Sequence, residues 1–331
     1  MNTTNLQSNG SRSGGQAVAF LQAIRVPHWI KNCFVLAPLL FSNQFLEPLA
    51  ILQGLLASLV FCLLASGVYL INDVRDVEQD RAHPLKRNRP VASGRLSKVA
   101  AIEGGIVLMI LGVALAWVVG ARWPSSVFGG YGLLVWAGAY VVLNILYSWW
   151  LKYHLIIDVI VISFGFVLRA MAGAAAINVL VSPWLVVCTF TLCLFIALTK
   201  RRAEVESADE MQASESRRVN AGYDHVDLNV MIAISAGMAI ITYALYCLAP
   251  HTVSVTVGSP NLIWTIPLVV YGVFRFNRLT RIYPDDPVSV LVRDRAMYVV
   301  LVLYVVLVGV VIYLGPDLKI LLDVNSSVPA G

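Results

Sequence analysis

Long apolar runs separated by short polar segments set the pattern of this chain. A bilayer-spanning helix needs about 20 mostly apolar residues. Nine stretches approach or meet that length: 26–46, 49–71, 99–120, 127–147, 155–177, 183–199, 228–249, 260–276 and 296–315. The first is the most interrupted, opening on His28, Lys31 and Asn32 and carrying Pro38. The sixth and eighth are short, and Pro267 stands where it would kink the eighth. The pattern predicts an all-α integral membrane protein with nine transmembrane helices. Residues 1–19, rich in Asn, Ser and Gly, predict a disordered cytosolic tail rather than a signal peptide. Residues 20–316 form the transmembrane domain, and 317–331 a short C-terminal tail.

Composition agrees. Of 331 residues, 58% are hydrophobic and 13% are charged, against about 25% charged in a soluble domain. The mean hydropathy is +0.76. These values exclude a secreted disulfide scaffold, a cytosolic dehydrogenase and a soluble nucleic-acid binder, despite a net charge of +5. No nucleic-acid partner is expected. The five cysteines all fall in apolar runs and read as small buried hydrophobes.

The charges sort by side. With the N-terminus in the cytoplasm, 18 of the 24 basic residues fall in four cytoplasmic segments, 72–98, 148–154, 200–227 and 275–295. Only Arg122 and Lys319 fall opposite, which satisfies the positive-inside rule. The acids follow, although topology does not require it. Asp73, Asp76, Glu78 and Asp80 share one of these segments, and Glu204, Glu206, Asp209, Glu210, Glu215, Asp224 and Asp227 another. Any chemistry faces the cytoplasm.

The string Asn72-Asp73-Val74-Arg75-Asp76-Val77-Glu78-Gln79-Asp80 ends the second apolar run. On a continuing helix, Asp73, Asp76 and Asp80 stand at i, i+3 and i+7, on one face and spread over about 10 Å. Three carboxylates on one stripe repel each other. Mg2+ removes that repulsion and prefers one or two carboxylates plus the oxygens of a phosphorylated substrate. Residues 81–95, RAHPLKRNRPVASGR, add a cation-rich, non-helical loop beside them, suited to outer phosphate oxygens. A solvated acidic helix end beside a topology signal accounts for the cations but not for the carboxylates.

The NDxxDxxxD motif after the second span, followed by HPLKRNRPVASG, resembles the UbiA superfamily of intramembrane prenyltransferases from about residue 20 onward. The resemblance implies a UbiA-type bundle of nine helices with its N-terminus in the cytoplasm. Typical members move a prenyl group from its diphosphate to an aromatic acceptor, and carry a second DxxxD motif between spans six and seven. Here that place reads Thr199-Lys200-Arg201-Arg202-Ala203-Glu204, with Arg217, Arg218 and Tyr223 downstream. This substitution resembles the decaprenyl-phosphate phosphoribosyltransferase branch of the superfamily. So do Tyr147-Ser148-Trp149-Trp150-Leu151-Lys152 with His154 and Asp158, and the segment from Asp285 to Arg295. Asp285-Asp286 departs from the glycine-containing turn expected there.

The resemblance implies transfer of a 5-phosphoribosyl group from 5-phosphoribosyl 1-diphosphate to a polyprenyl phosphate at the inner face of a bacterial cytoplasmic membrane. Asp73, Asp76 and Asp80 would hold Mg2+ and form the catalytic centre, with Asn72 in support. Arg81, Lys86, Arg87 and Arg89 would take the diphosphate or the 5-phosphate. Lys152, Lys200 and Arg201, with Glu204 in the same string, would hold the lipid phosphate or the ribose phosphate. Membrane lipids are partners, and a homo-oligomer is left open. An aromatic prenyltransferase of the same superfamily is the competing reading; a transporter would show internal repeats, and none is evident.

Inside the fifth run, Asp158 and Arg169 lie eleven residues apart, on one helix face and about 16 Å apart along the axis. Ionisable residues at such depth face the bundle interior. Asp158 is shallow enough to touch a phosphate site. Arg169 either reaches a substrate phosphate in a wet cavity or ties to a carbonyl, Tyr140 or Asn144. Tyr147 either lines the site or belongs to the interfacial aromatic belt with Trp149 and Trp150. Gly165, Ala172, Gly173 and Ala174–Ala176 allow close helix packing.

Overall fold

The computed structural model describes residues 16–42, 44–84, 86–210, 225–255, 261–283 and 293–313. Among the described residues there is no strand, only an isolated bridge between Ser125 and Gly130. Nine helices matter for the site: α1 (Pro48–Arg75), α2 (Val77–Ala82), α3 (Lys98–Arg122), α4 (Gly132–Trp149), α5 (Ile157–Ala176), α6 (Pro183–Glu210), α7 (His225–Leu248), α8 (Ile266–Ile282) and α9 (Arg295–Tyr313). Their boundaries follow local chemistry. Proline opens α1 at a position where its missing N–H costs nothing. The Ser97 hydroxyl caps α3 by accepting the Ala100 N–H at 3.1 Å.

Seven of these helices are long and apolar enough to cross a membrane: α1, α3, α4, α5, α6, α7 and α9. The first and eighth expected spans take another form. The first is an 11-residue 3-10 stretch, Val26–Leu36, followed by a four-residue helix, Ala37–Leu40. The eighth opens as a 3-10 turn over Asn261–Thr265 before the 17-residue α8. Pro27, Pro38 and Pro267 stand at or near the starts of these pieces, where their fixed φ and missing N–H favour a helix start over a helix interior. A 3-10 helix rises about 2.0 Å per residue, so residues 26–40 still extend about 28 Å.

Residues 16–23 are helical, and 16–19 of them fall in the segment expected to be a tail. Ala19, Ala23 and Ile24 are buried against Leu70, Val77, Val91 and Leu96. Residues 1–15 and the expected tail at 317–331 lie outside the described residues. So do Arg217, Arg218, Tyr223 and Asp285–Pro287.

Among the apolar clusters of the described residues, two join most of the long helices. Val35, Phe61, Leu64, Ala116, Leu133, Tyr140 and Ala172 join the first 3-10 stretch to α1, α3, α4 and α5. Val159, Phe195, Leu198, Leu228, Ile232 and Phe276 join α5, α6, α7 and α8. Gly173 makes the approach of the N-terminal segment to α5 achievable, since a Cβ there would stand 1.8 Å from the Val35 carbonyl oxygen. Of the five cysteines, Cys62, Cys193 and Cys247 are buried and Cys188 is partly so. Cys33 is exposed, because it points away from the bundle on the outer side of the 3-10 stretch.

Candidate active site

The ends of the helices carrying the acidic motif and the basic string meet at one end of the bundle. Lys152, after α4, reaches the end of α1, and Arg201 on α6 reaches the start of α5. Asp73 lies in the last turn of α1 and Asp80 in α2, with Asp76 at the junction between them. Asp76 has φ −90 and ψ 13, so its own backbone leaves the helical region. The hydrogen-bond ladder nonetheless runs through it: the Asp76 N–H donates to the Asn72 carbonyl, and the Asp80 N–H to the Asp76 carbonyl, both at 2.8 Å.

The expected single stripe of three free carboxylates is therefore modified. Asp73 and Asp80 are buried and share one cation: Arg89 Nη1 donates to Asp80 Oδ2 at 2.7 Å and to Asp73 Oδ1 at 3.4 Å. Asp76 turns to Lys152, whose Nζ lies 2.9 and 3.0 Å from its two carboxylate oxygens. The Lys152 side chain is only 5% exposed while that of Asp76 is 24% exposed, so the ammonium is enclosed and the carboxylate keeps partial access to water. Lys152 sits in the 3-10 turn Leu151–Tyr153.

A third cation had no sequence signal beyond its place just ahead of the first apolar run. Arg25 donates Nη2 to Asp73 Oδ1, and its guanidinium stacks over Tyr69 with 4.9 Å to the ring centroid. Three cations thus compensate three carboxylates. One oxygen stays apart: Asp73 Oδ2 is buried and has no hydrogen-bond partner. A buried carboxylate oxygen without a hydrogen-bond partner is costly and is the type of donor a hard divalent cation takes. Among the described residues no three His, Cys, Asp or Glu side chains converge as a ready cage.

On the facing side, Arg201 Nε lies 3.0 Å from Asp158 Oδ2, and both residues are almost fully buried. Arg201 Nη1 also pairs with Glu204, while Lys200 Nζ stands 3.9 Å from the same carboxylate. Its neighbour Arg202 turns away and is enclosed by Asn229, Asn277 and Thr280, joining α6 to α7 and α8. His83 lies within the electrostatic reach of both Asp80 and Glu204, linking the two clusters. Burial, with help from Lys86, pushes its imidazole below the usual histidine range, while the two carboxylates pull it upward.

Other expected site residues are placed differently. Arg81 is exposed and folds the loop, donating Nε to the Ala92 carbonyl at 3.1 Å and Nη1 to Glu78 at 3.2 Å. Lys86 and Arg87 lie in a 3-10 turn whose backbone N–H groups both bond His83. Asn72 is half-buried and contributes its carbonyl to the ladder. Tyr147 is half-buried in the last turn of α4. Arg169 takes the tie rather than the phosphate, donating to Asn32 Oδ1, the Gly165 carbonyl and the Tyr140 hydroxyl at 2.9, 3.0 and 2.9 Å.

Comparison with known proteins fits this arrangement. The model of the UbiA prenyltransferase family matches residues 33–293. The chain belongs to the UbiA prenyltransferase family. Within it, the chain is 28% identical over 307 residues to the decaprenyl-phosphate phosphoribosyltransferase of Mycolicibacterium smegmatis, covering 88% of this chain and 92% of that protein. It is 32% identical over 248 residues to the decaprenyl-phosphate phosphoribosyltransferase of Corynebacterium glutamicum, covering 74% and 72%. A UbiA homolog from Archaeoglobus fulgidus, solved bound to GPP and Mg2+, shares the fold with a TM-score of 0.64 at 17% identity. That likeness covers 89% of this chain and 99% of that one. In this bundle the acidic motif of α1 and α2 pairs with Arg25, Arg89 and Lys152, and the basic string of α6 pairs with Asp158 and Glu204.

Proposed function

We propose that this UbiA-family chain transfers a 5-phosphoribosyl group from 5-phosphoribosyl 1-diphosphate to a polyprenyl phosphate of the decaprenyl type, releasing diphosphate. The observation that carries this reading is one carboxylate set held by three cations, with a second cation group on α6; of these Lys152 and Arg201 are buried, while Arg25, Arg89 and Lys200 keep access to solvent. Arg25, Arg89 and Lys152 stand on the Asp73–Asp80 motif, and Arg201 and Lys200 stand across from it. One metal-binding set suits one diphosphate, and the additional cations suit two further phosphates, one on the ribose and one on the lipid. An aromatic acceptor would need no such second cation set.

In this reading Asp73, Asp76 and Asp80 would hold Mg2+, which would supply charge neutralisation for the departing diphosphate. Arg25, Arg89 and Lys152 exchange their carboxylate partners for outer phosphate oxygens, the two guanidinium groups in two-point fashion and the Lys152 ammonium as a point charge. Arg201, oriented by Asp158 and Glu204, receives the lipid phosphate or the 5-phosphate. An oxygen of the lipid phosphate forms a bond to C1 of the ribose as the bond from C1 to the diphosphate oxygen breaks. The phosphate monoester is already an anion, so no strong general base is required. The protein's contribution is orientation and electrostatic stabilisation of developing charge.

The reaction would occur at the cytoplasmic face of a bacterial inner membrane, with the chain crossing nine times from a cytoplasmic N-terminus. Residues 26–40, and 261–282 at about 35 Å, are long enough for the two crossings beyond the seven apolar helices. The chain reconstituted in lipid vesicles, given radiolabelled phosphoribosyl diphosphate, decaprenyl phosphate and Mg2+, should yield an acid-labile ribosyl lipid. Prenylation of an aromatic acid, with no ribosyl lipid formed, would overturn the proposal.

A further inference from the structure

Arg169 is buried, yet all its partners are neutral. Its three hydrogen bonds go to Asn32, Gly165 and Tyr140, and the faces of Tyr140 and Phe166 lie 4.6 and 4.9 Å from the guanidinium carbon. Among the described residues no carboxylate pairs with it. A buried cation without a counter-ion is costly to retain in a membrane span. Its contacts indicate what it holds. Asn32 is only 1% exposed and takes the Arg169 Nε–H at 2.9 Å, while its own Nδ2 donates to Cys62 Sγ at 3.2 Å.

Asn32 belongs to a strap, residues 16–36, laid along α1. Nearer the cytoplasm the strap is stitched again, since Ser66 Oγ accepts from Trp29 Nε1 at 3.1 Å and donates to the Ile24 carbonyl at 3.0 Å. The next residue, Arg25, has φ 55 and ψ 51, a left-handed conformation that residues with side chains rarely adopt. Such a conformation persists only where the surroundings over-determine it. Here it marks the break between helix 16–23 and the 3-10 stretch, and it carries the guanidinium onto Asp73. Arg25 and Asn32 are seven residues apart, about 14 Å along a 3-10 rise.

We propose that Arg169 is a positioning residue for donor binding. By gripping Asn32 it fixes the register of the strap, and the strap in turn sets Arg25 on the metal-binding motif. Arg169 touches no reacting atom in this scheme. The inference rests on the function proposed above for its substrate names, but its structural half does not.

The test uses the full chain in lipid nanodiscs with Arg169→Gln, Asn32→Leu and Asn32→Asp, the last keeping an acceptor for Arg169. Losing the Arg169–Asn32 hydrogen bond, which the first two variants both break, should raise KM for phosphoribosyl diphosphate about tenfold. Their kcat and the KM for polyprenyl phosphate should stay within about twofold, and Asn32→Asp should return donor KM close to wild type. Amide hydrogen exchange over residues 16–25 should accelerate in the first two and not in the third. Unchanged exchange over 16–25 would overturn the proposal, as would an equal rise of KM for both substrates. If the wild-type chain does not use phosphoribosyl diphosphate, the functional reading fails, and the exchange data still decide whether Arg169 holds the strap.

Discussion

Gly173→Ala is the sharpest structural perturbation available in this bundle. The added Cβ would stand 1.8 Å from the Val35 carbonyl oxygen, 2.8 Å from its carbonyl carbon and 3.2 Å from its Cα. All three are backbone atoms, so no side-chain rotation relieves the overlap; the 3-10 stretch and α5 must separate. Overpacking of a well-filled core typically costs about 1–3 kcal/mol, and a backbone clash belongs at the upper end. At roughly 1–2 °C per kcal/mol for a chain of this length, thermal unfolding should fall by about 3–6 °C. Gly138→Ala on α4 supplies the control, because a Cβ there meets nothing within 4 Å. Alanine should be neutral there or stabilise by up to about 1 kcal/mol through helix propensity. The assay is the unfolding temperature of both variants in one detergent or nanodisc. Equal shifts for the two would refute the close approach of the N-terminal segment to α5.

Lys152→Met removes the cation buried against Asp76 and leaves that carboxylate uncompensated; turnover should fall at least tenfold, with Lys152→Arg recovering part of it, as steady-state kinetics would report. Chelation of divalent cations should abolish turnover, and added Mg2+ should restore it; activity unaffected by chelator would remove the metal from the account. His83 has a folded pKa below its ordinary value of 6.5, so its contribution to stability is intact above that value and is lost as pH falls below it. Thermal unfolding of His83→Gln, followed from pH 7.5 to pH 5, should accordingly decline less than that of the wild type.

Much of this was legible in the sequence because the bilayer imposes simple rules. Seven of the nine expected spans appear as long apolar helices, since apolar length and internal backbone pairing decide them. Residues 26–46 and 260–276 differ because prolines restart the helix there, and hydropathy windows do not distinguish a 3-10 rise from an α rise. The acidic motif and the basic string on α6 were placed at one bundle end by spacing and side alone. Which cation meets which carboxylate was not legible. Arg81 and Arg89 look equivalent in the loop, yet Arg81 folds back on the Ala92 carbonyl while Arg89 bridges Asp73 and Asp80. Arg25 was hidden for another reason: its contact spans 48 residues and depends on a left-handed backbone that no local pattern announces.

The central claim is that the bond broken joins C1 of the ribose to the diphosphate, and that the lipid phosphate supplies the new oxygen. Phosphoribosyl diphosphate carrying 18O at the C1–O–P bridge tests it directly, with mass spectrometry of both products. The account predicts that all of the 18O leaves in the diphosphate and that the ribosyl lipid carries none. Label retained between the ribose and the lipid phosphate would mean that a P–O bond broke instead, and would contradict it.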